Sequence, residues 1–485
     1  MLYIDLVCPS CSVRKGIFAV NIIINRKGVF FMSYIQETKI NELLNQSAPP
    51  DDLQFKEILA KARQCGGLDL EEAARLLHTE DEHQLQELFS TARFVKDKVY
   101  GKRVVLFAPL YTSNACTNNC LYCAFRSENK ALHRKTLSND EVITQAKEIE
   151  KQGHKRILLV CGEDQSQTHI SHVTSAVKAI YESCDIRRIN VNAAPMSVED
   201  YKELKKAGIG TYQLFQETYH RETYKKMHPT GLKSDYDRRI SAMDRAIEAG
   251  IDDLGIGALL GLYDYKYEVL AMLLHSNYLL DKYSIGPHTI SVPRLRPALG
   301  SVIKETPYPI SDTDFKKLVA VLRLAVPYTG IILSTRESET LRDELLSLGV
   351  SQISAGSKTG PGGYDHDEEN IQQFSNSDHR PMNQMIKVIC DSGYIPSFCT
   401  ACYRRCRTGK DFIDLARKGD IHVFCQPNAI LSFKENLLDY GTPENIAQGE
   451  SIIQKALDEI ENDKLKEATL EKLDLIKNGQ RDLYF

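Results

Sequence analysis

Residues 104–125 read VVLFAPLYTSNACTNNCLYCAF: an eight-residue apolar run, then three cysteines, Cys116, Cys120 and Cys123, within eight positions. The run VVLFAPLY carries the branched and aromatic side chains of a strand covered on both faces, as in a parallel sheet. Similar runs follow it: RILLVCG (156–162), RRINVNAA (187–194), TYQLFQ (211–216), DDLGIGALLG (252–261), HTISVPRLRP (288–297), GIILSTR (330–336) and VSQISAG (350–356). Between them lie amphipathic stretches such as NDEVITQAKEIEKQG and ETLRDELLSLGV, with Ser, Asp or Asn near the start and Gly near the end, as helices are capped. Eight strand–helix units in this order predict an α/β protein built on a (β/α)8 TIM-type barrel, because parallel strands need crossover helices. Residues that follow strand C-termini then converge on one mouth, and the three cysteines follow the first strand.

Around this barrel, assigned to residues 101–380, the sequence predicts a helical segment over 34–100 and a mainly helical C-terminal domain over 381–485. Residues 1–33 read as an extension of unknown role; the Cys8-x-x-Cys11 pair within it is a weak metal signal on its own. The 485 residues are 26% charged and 42% hydrophobic with a formal net charge of -4, so nothing global steers the chain toward nucleic acid or an anionic membrane. The apolar stretch GIFAVNIII is too short to span a bilayer and lacks a cleavage pattern, which points to a cytoplasmic protein. Thirteen cysteines without an export signal argue against a disulfide framework. Their grouping at 116/120/123 and 399/402/406, with Cys425 beyond, suggests metal or iron–sulfur ligation instead.

Three thiolates can hold three irons of a 4Fe–4S cubane and leave the fourth open to another ligand. A zinc knuckle would want a further Cys or His close by, and the eight residues after Cys123 hold neither. With Tyr122 before the last cysteine, the pattern CxxxCx-aromatic-C resembles the radical S-adenosylmethionine (SAM) superfamily, which implies SAM bound to the open iron as source of a 5′-deoxyadenosyl radical. Gly162-Glu163-Asp164 resembles the Gly-Gly-Glu element that receives the SAM amino group, with Cys161, read as a small buried hydrophobe, in place of the first glycine. Glu217 and Arg239 match positions that hold the ribose and carboxylate of SAM; taken singly, each reads as a surface charge.

Closer matches run through NVNAAP, GIGTYQLFQETYH, GPHTISVPRLRPA, LSTRES, CTACYRRCRTG and CQPNAILSFKENLLDY. Together these stretches, over about residues 40–485, resemble the HydG family of tyrosine lyases that mature FeFe-hydrogenases. The resemblance implies cleavage of L-tyrosine to p-cresol and dehydroglycine, and conversion of the latter to CO and cyanide at a second 4Fe–4S cluster bearing a labile extra iron. It assigns that cluster to Cys399, Cys402 and Cys425, spaced C-x2-C-x22-C, and the extra iron to His288. A lone histidine in a strand otherwise satisfies a core hydrogen bond. Cys406 stands where glycine is expected, and its role is open among ligand replacement, iron binding and simple packing. Arg336 matches the arginine that receives the tyrosine carboxylate, with Ser354 and Ser357 as added hydroxyl donors; Arg294 and Arg296 are either substrate-facing or in a structural ion pair. The implied partners are ferredoxin or flavodoxin as reductant and the maturases HydE and HydF. Two rivals remain: a ThiH-like 2-iminoacetate synthase, whose family lacks the second cluster, and a non-catalytic iron–sulfur carrier.

Overall fold

The computed structural model describes residues 34–366, 371–418 and 421–485, together with the backbone of an antiparallel pair, Ile22–Ile24 with Phe30–Met32. Cys8 and Cys11 lie outside the described residues. Eight parallel strands close into a barrel: β1 (Arg103–Ser113), β2 (Arg156–Cys161), β3 (Arg188–Asn192), β4 (Tyr212–Gln213), β5 (Leu254–Gly257), β6 (Thr289–Ser291), β7 (Gly330–Leu333) and β8 (Gln352–Ser354). Pairing of Gln352 with Val105 and of Ser354 with Phe107 shuts the ring between β8 and β1. Each expected strand is present; β1 extends beyond the expected 104–111, and the other seven are shortened to their hydrogen-bonded centres.

The helices begin where the sequence supplies caps. Ser138 Oγ accepts from the Glu141 amide (3.3 Å) while the Glu141 carboxylate accepts from the Ser138 amide (2.9 Å), a reciprocal pair that opens the helix Asn139–Lys151. Val142, Ala146 and Ile149 then face inward onto the barrel at helical spacing. Burying each such Val, Leu or Ile contributes roughly 1.5–3 kcal/mol, and strand residues Leu106, Ile157, Ile189, Ile290 and Ile331 complete the same core.

The N-terminal region is helical as expected, through Glu37–Gln46, Asp52–Ala62, Leu70–Leu77 and Glu82–Tyr100. The last of these packs along Asp312–Ala325, and Tyr100 Oη donates to the Tyr328 carbonyl. The expected helix near 382–392 is Met382–Asp391. It feeds a strand that the sequence analysis did not anticipate, β9 (Ile395–Ser397), which pairs in parallel with Arg103–Val105 at the start of β1. Because β2 pairs only from Ala108 onward, β9 occupies the free edge of β1 below β2. It therefore delivers Cys399 and Cys402 to the N-terminal end of the barrel, its floor.

Candidate active site and second cysteine site

The first cysteine trio sits on the loop that leaves β1 at the opposite end, the mouth. Backbone bonds pin this loop: the Thr117 amide and hydroxyl both donate to the Glu163 carbonyl (2.8 and 3.0 Å), and Leu121 N donates to Met227 O (3.0 Å). Gly162 N donates to Ser113 O, and a Cβ at position 162 would lie 2.1 Å from the Ala115 carbonyl oxygen. Only glycine fits beneath the cysteine loop there. Gly162→Ala is expected to push that loop outward and lower the melting temperature of the apoprotein by several degrees, with a matching loss of iron retained at the mouth. Circular dichroism and iron analysis check it, and an unchanged melting temperature and iron content would contradict the packing account.

Two of the three sulfurs face N–H donors. Asn118 Nδ2 lies 3.7 Å from Cys116 Sγ; Phe125 N and Gln373 Nε2 lie 3.4 and 3.7 Å from Cys123 Sγ. Burial pushes the Cys120 thiol up to about 12 and raises Cys123 as well. Such thiols ionise when a metal ion binds the sulfur and displaces the proton to solvent.

Beneath the loop a cavity of about 1460 Å³, counting solvent at its mouth, reaches from the three cysteines to Phe107 within β1 and to Gln213, Ser291 and Ser354 at the C-terminal ends of β4, β6 and β8. Tyr122, Gly162, Glu163, Glu217, Arg239, Arg336, Ser354 and Ser357 all line it. Glu217 holds a left-handed backbone, φ 72°, rare for a non-glycine residue, fixed by Leu259 N donating to its carbonyl (2.7 Å). Its carboxylate accepts from Lys233 Nζ (2.6 Å) and Arg239 NH2 (3.3 Å). Burial alone would raise its pKa, but the two cations outweigh burial and hold it at about 2. Tyr122 Oη sits 2.9 Å from His228 Nε2; since His228 Nδ1 faces the Tyr224 carbonyl (2.8 Å), Nδ1 carries the proton and Tyr122 donates. Burial pushes His228 down to about 3, so it stays neutral.

Glu163 is spoken for by its neighbours: its side chain accepts from Asn118 Nδ2 (2.7 Å) and Arg238 NH1 (3.3 Å). Cys161, expected as buried filler, is only partly buried and forms part of the cavity wall. Arg294 and Arg296 resolve to the ion-pair alternative, both donating to the fully buried Glu337. Arg336 differs: it has no carboxylate within ion-pair distance among the described residues, donates once to Arg294 O (3.4 Å), and stacks 3.4 Å from the Phe374 ring centre. Burial disfavours its charge. Ser357 Oγ is likewise buried without a hydrogen-bond partner. An uncompensated arginine and an orphaned hydroxyl in one cavity leave unmet a charge and a hydrogen bond that an anionic, hydrogen-bonding molecule would satisfy.

At the floor, Cys399, Cys402 and Cys425 lie close enough for their charges to interact: burial first, then Cys425 and Cys399, pushes the Cys402 thiol up to about 12. The segment is tied to strand N-termini. Arg156 donates to the Cys399 carbonyl (2.8 Å) and to Tyr403 Oη (3.1 Å), Thr211 Oγ1 lies 3.0 Å from Tyr403 Oη, and Arg188 stacks 3.9 Å over the Tyr403 ring. His288, one residue before β6, stacks on Phe412 (4.2 Å) and flanks Tyr403 (6.4 Å), so it too belongs to the floor. Cys406 is exposed and takes a left-handed backbone, φ 51°, just past the short helix Ala401–Arg404. That is the position where a helix end favours glycine. Cys406→Gly is expected to leave iron content unchanged and to stabilise the fold by about 1 kcal/mol, the cost of a side chain in that conformation; loss of iron from this variant would make Cys406 a ligand.

Sequence reasoning missed Lys233, Asn118, Arg238, Gln373 and Phe374. Lys233 reaches Glu217, 16 residues away, across a 3-10 turn (Leu232–Ser234), and no local pattern marks it. Gln373 and Phe374 come from the segment after the glycine-rich loop, which folds back so that Gln373 N donates to Thr359 O (2.9 Å) and Ser375 N to Pro297 O (3.1 Å).

The comparisons with known proteins agree with this geometry. Residues 110–276 match the radical SAM superfamily model, and residues 291–395 match the biotin and thiamin synthesis associated domain. A crystal structure of HydG, a maturase of the FeFe-hydrogenase, superposes with TM-score 0.90 at 52% identity, covering 93% of this chain and all of that one. HydG from Carboxydothermus hydrogenoformans superposes with TM-score 0.80 at 46% identity, over 90% of this chain and 97% of that one. The 2-iminoacetate synthase of Escherichia coli K12 is 34% identical over 316 residues, 64% of this chain and 82% of that protein. The chain belongs to the radical SAM superfamily and, within it, to the family of the HydG maturases.

Proposed function

We propose that the protein cleaves the Cα–Cβ bond of L-tyrosine at the barrel mouth, releasing p-cresol, and converts the remaining dehydroglycine to CO and cyanide at the barrel floor. The observation that carries this reading is the presence of two separate cysteine trios at opposite ends of one barrel, with the mouth trio opening on a cavity that holds an uncompensated arginine. TIM barrels work at the C-terminal mouth, while the N-terminal face ordinarily serves stability. A thiol cluster at the floor is a second site. It also disfavours the reading that stops at dehydroglycine, as a 2-iminoacetate synthase does.

SAM and its 4Fe–4S cluster, when bound through Cys116, Cys120 and Cys123, supply a 5′-deoxyadenosyl radical. The chain's own residues do the rest. Glu217, Lys233 and Arg239 form a fixed charge array at the edge of the SAM subsite, and the buried Tyr122 closes its wall. Arg336 takes the tyrosine carboxylate in a forked pair, with Ser354 and Ser357 beside it, and the stacked Phe374 holds the guanidinium flat. The segment carrying Gln373 and Phe374 covers the mouth and limits water, which protects a radical from side reactions. At the floor, Cys399, Cys402 and Cys425 would hold the second 4Fe–4S cluster and His288 an extra, labile iron. Dehydroglycine, HN=CH–COO⁻, balances as cyanide, CO and water, its amine carbon entering cyanide and its carboxyl carbon entering CO.

A low-potential donor such as ferredoxin or flavodoxin in a reducing cytoplasm supplies the electron, and HydE- and HydF-like maturases are the partners. No helix among the described residues is long and apolar enough to cross a membrane. The test is an anaerobic assay of reconstituted protein with SAM, dithionite and tyrosine. Appearance of p-cresol supports the lyase, and its absence from protein carrying a full mouth cluster rejects it.

A further inference from the structure

We propose that Asp253 is the positioning residue for the His288 ligand, holding its Nδ1–H so that Nε2 presents the lone pair to the extra iron; this rests on the proposed role of His288. The register of the barrel brings the two residues side by side. His288 N donates to Leu254 O (2.8 Å), Tyr212 N donates to Asp253 O (3.0 Å), and β5 and β6 run in parallel from Gly255 opposite Thr289. Both backbones are thereby fixed before either side chain is considered. Asp253 Oδ2 then lies 3.2 Å from His288 Nδ1, with the carboxylate 2% exposed.

Among the described residues His288 is the one basic side chain within ion-pair distance of this carboxylate. Neither carboxylate oxygen nor His288 Nδ1 has a hydrogen-bond partner among the described residues, so the 3.2 Å approach is an ion-pair contact that a small ring rotation turns into a hydrogen bond. The Thr211 hydroxyl and the Arg188 guanidinium lie near enough to help keep the carboxylate ionised. A buried carboxylate with no settled hydrogen bond of its own takes up the nearest N–H. Neutral imidazole has one N–H and one lone pair, so a carboxylate at Nδ1 selects the tautomer with Nε2 free. Phe412 and Tyr403, near-parallel to the ring at 24° and 19°, fix its plane. The ring is thereby set beside Tyr403, the residue after Cys402; a metal ligand needs tautomer, plane and basicity set together, and loss of such an outer partner weakens metal binding about 10–100-fold.

The test compares wild type with Asp253→Asn, Asp253→Glu and His288→Ala, each reconstituted anaerobically. Iron per protein is titrated against a competing ferrous chelator, the floor cluster is followed by Mössbauer spectroscopy, and the fold is checked by circular dichroism. Wild type is expected to hold one iron more than His288→Ala. Asp253→Asn is expected to release that iron at about 10–100-fold lower chelator concentration, while Asp253→Glu, which keeps the charge, recovers most of the affinity. Retention of the extra iron by folded Asp253→Asn at wild-type affinity overturns the proposal while leaving His288 a ligand. Equal iron in wild type and His288→Ala overturns the His288 assignment and the proposal with it. If Asp253→Asn does not fold, Asp253→Glu decides: wild-type-like affinity supports the carboxylate, and affinity no better than His288→Ala overturns it.

Discussion

Arg336→Ala is expected to lower kcat/KM for p-cresol formation by about 10²–10³ while leaving the melting temperature unchanged or slightly raised. Both halves follow from one fact: the guanidinium is partly buried in the cavity with no carboxylate beside it. When tyrosine binds, its carboxylate becomes that missing partner. Removing one member of a desolvated charge pair costs about 3–5 kcal/mol, which sets the size of the loss. Without substrate the same arginine is a partly buried cation with no carboxylate partner, so deleting it removes a desolvation cost that offsets the lost Phe374 stacking. Arg294 and Arg296 provide the contrast, since they neutralise the fully buried Glu337. Their removal should destabilise the fold. A kcat/KM within threefold of wild type for Arg336→Ala, or a fall in its melting temperature like that of Arg294→Ala, would count against substrate binding.

The second large effect is expected from Cys399→Ala with Cys402→Ala: CO formation falls to background while p-cresol formation persists. The two trios stand at opposite ends of the barrel, one on the loop after β1 and one after β9, and no hydrogen bond joins them among the described residues. Removing thiols at the floor leaves the cysteine loop at the mouth, its Gly162 cradle and the Glu217–Lys233–Arg239 array in place. Gas-phase detection of CO against quantified p-cresol reads the split directly. Equal loss of both products would mean that the floor supports the mouth structurally, and equal survival would mean that it takes no part in CO release.

Much of this architecture is legible in the sequence because the barrel repeats one pattern eight times, and each unit signals itself by an apolar run followed by a capped amphipathic helix. The cysteine trios are legible because their spacing is local. What the sequence hides is long-range. The strand β9 is three residues long and contains Pro396; nothing in IPS announces a strand. It forms because β1 extends below β2 and leaves an edge unpaired, a property of two other strands. Lys233 and Asp253 are hidden for the same reason: an ordinary charge in a turn, or at the start of a strand, gains a role only when the ring closes. Arg336 shows the middle case. Its motif marks it, but only the structure shows that its neighbour Glu337 is taken by two other arginines and leaves it free.

The most direct test of two sites in one barrel is the fate of isotopically labelled tyrosine in the anaerobic assay. With tyrosine labelled at the carboxyl carbon, label is expected in CO, and with tyrosine labelled at Cα, label is expected in cyanide, each tracking p-cresol. Formation of p-cresol with the two-carbon fragment recovered intact, and no label in CO or cyanide, would contradict the account.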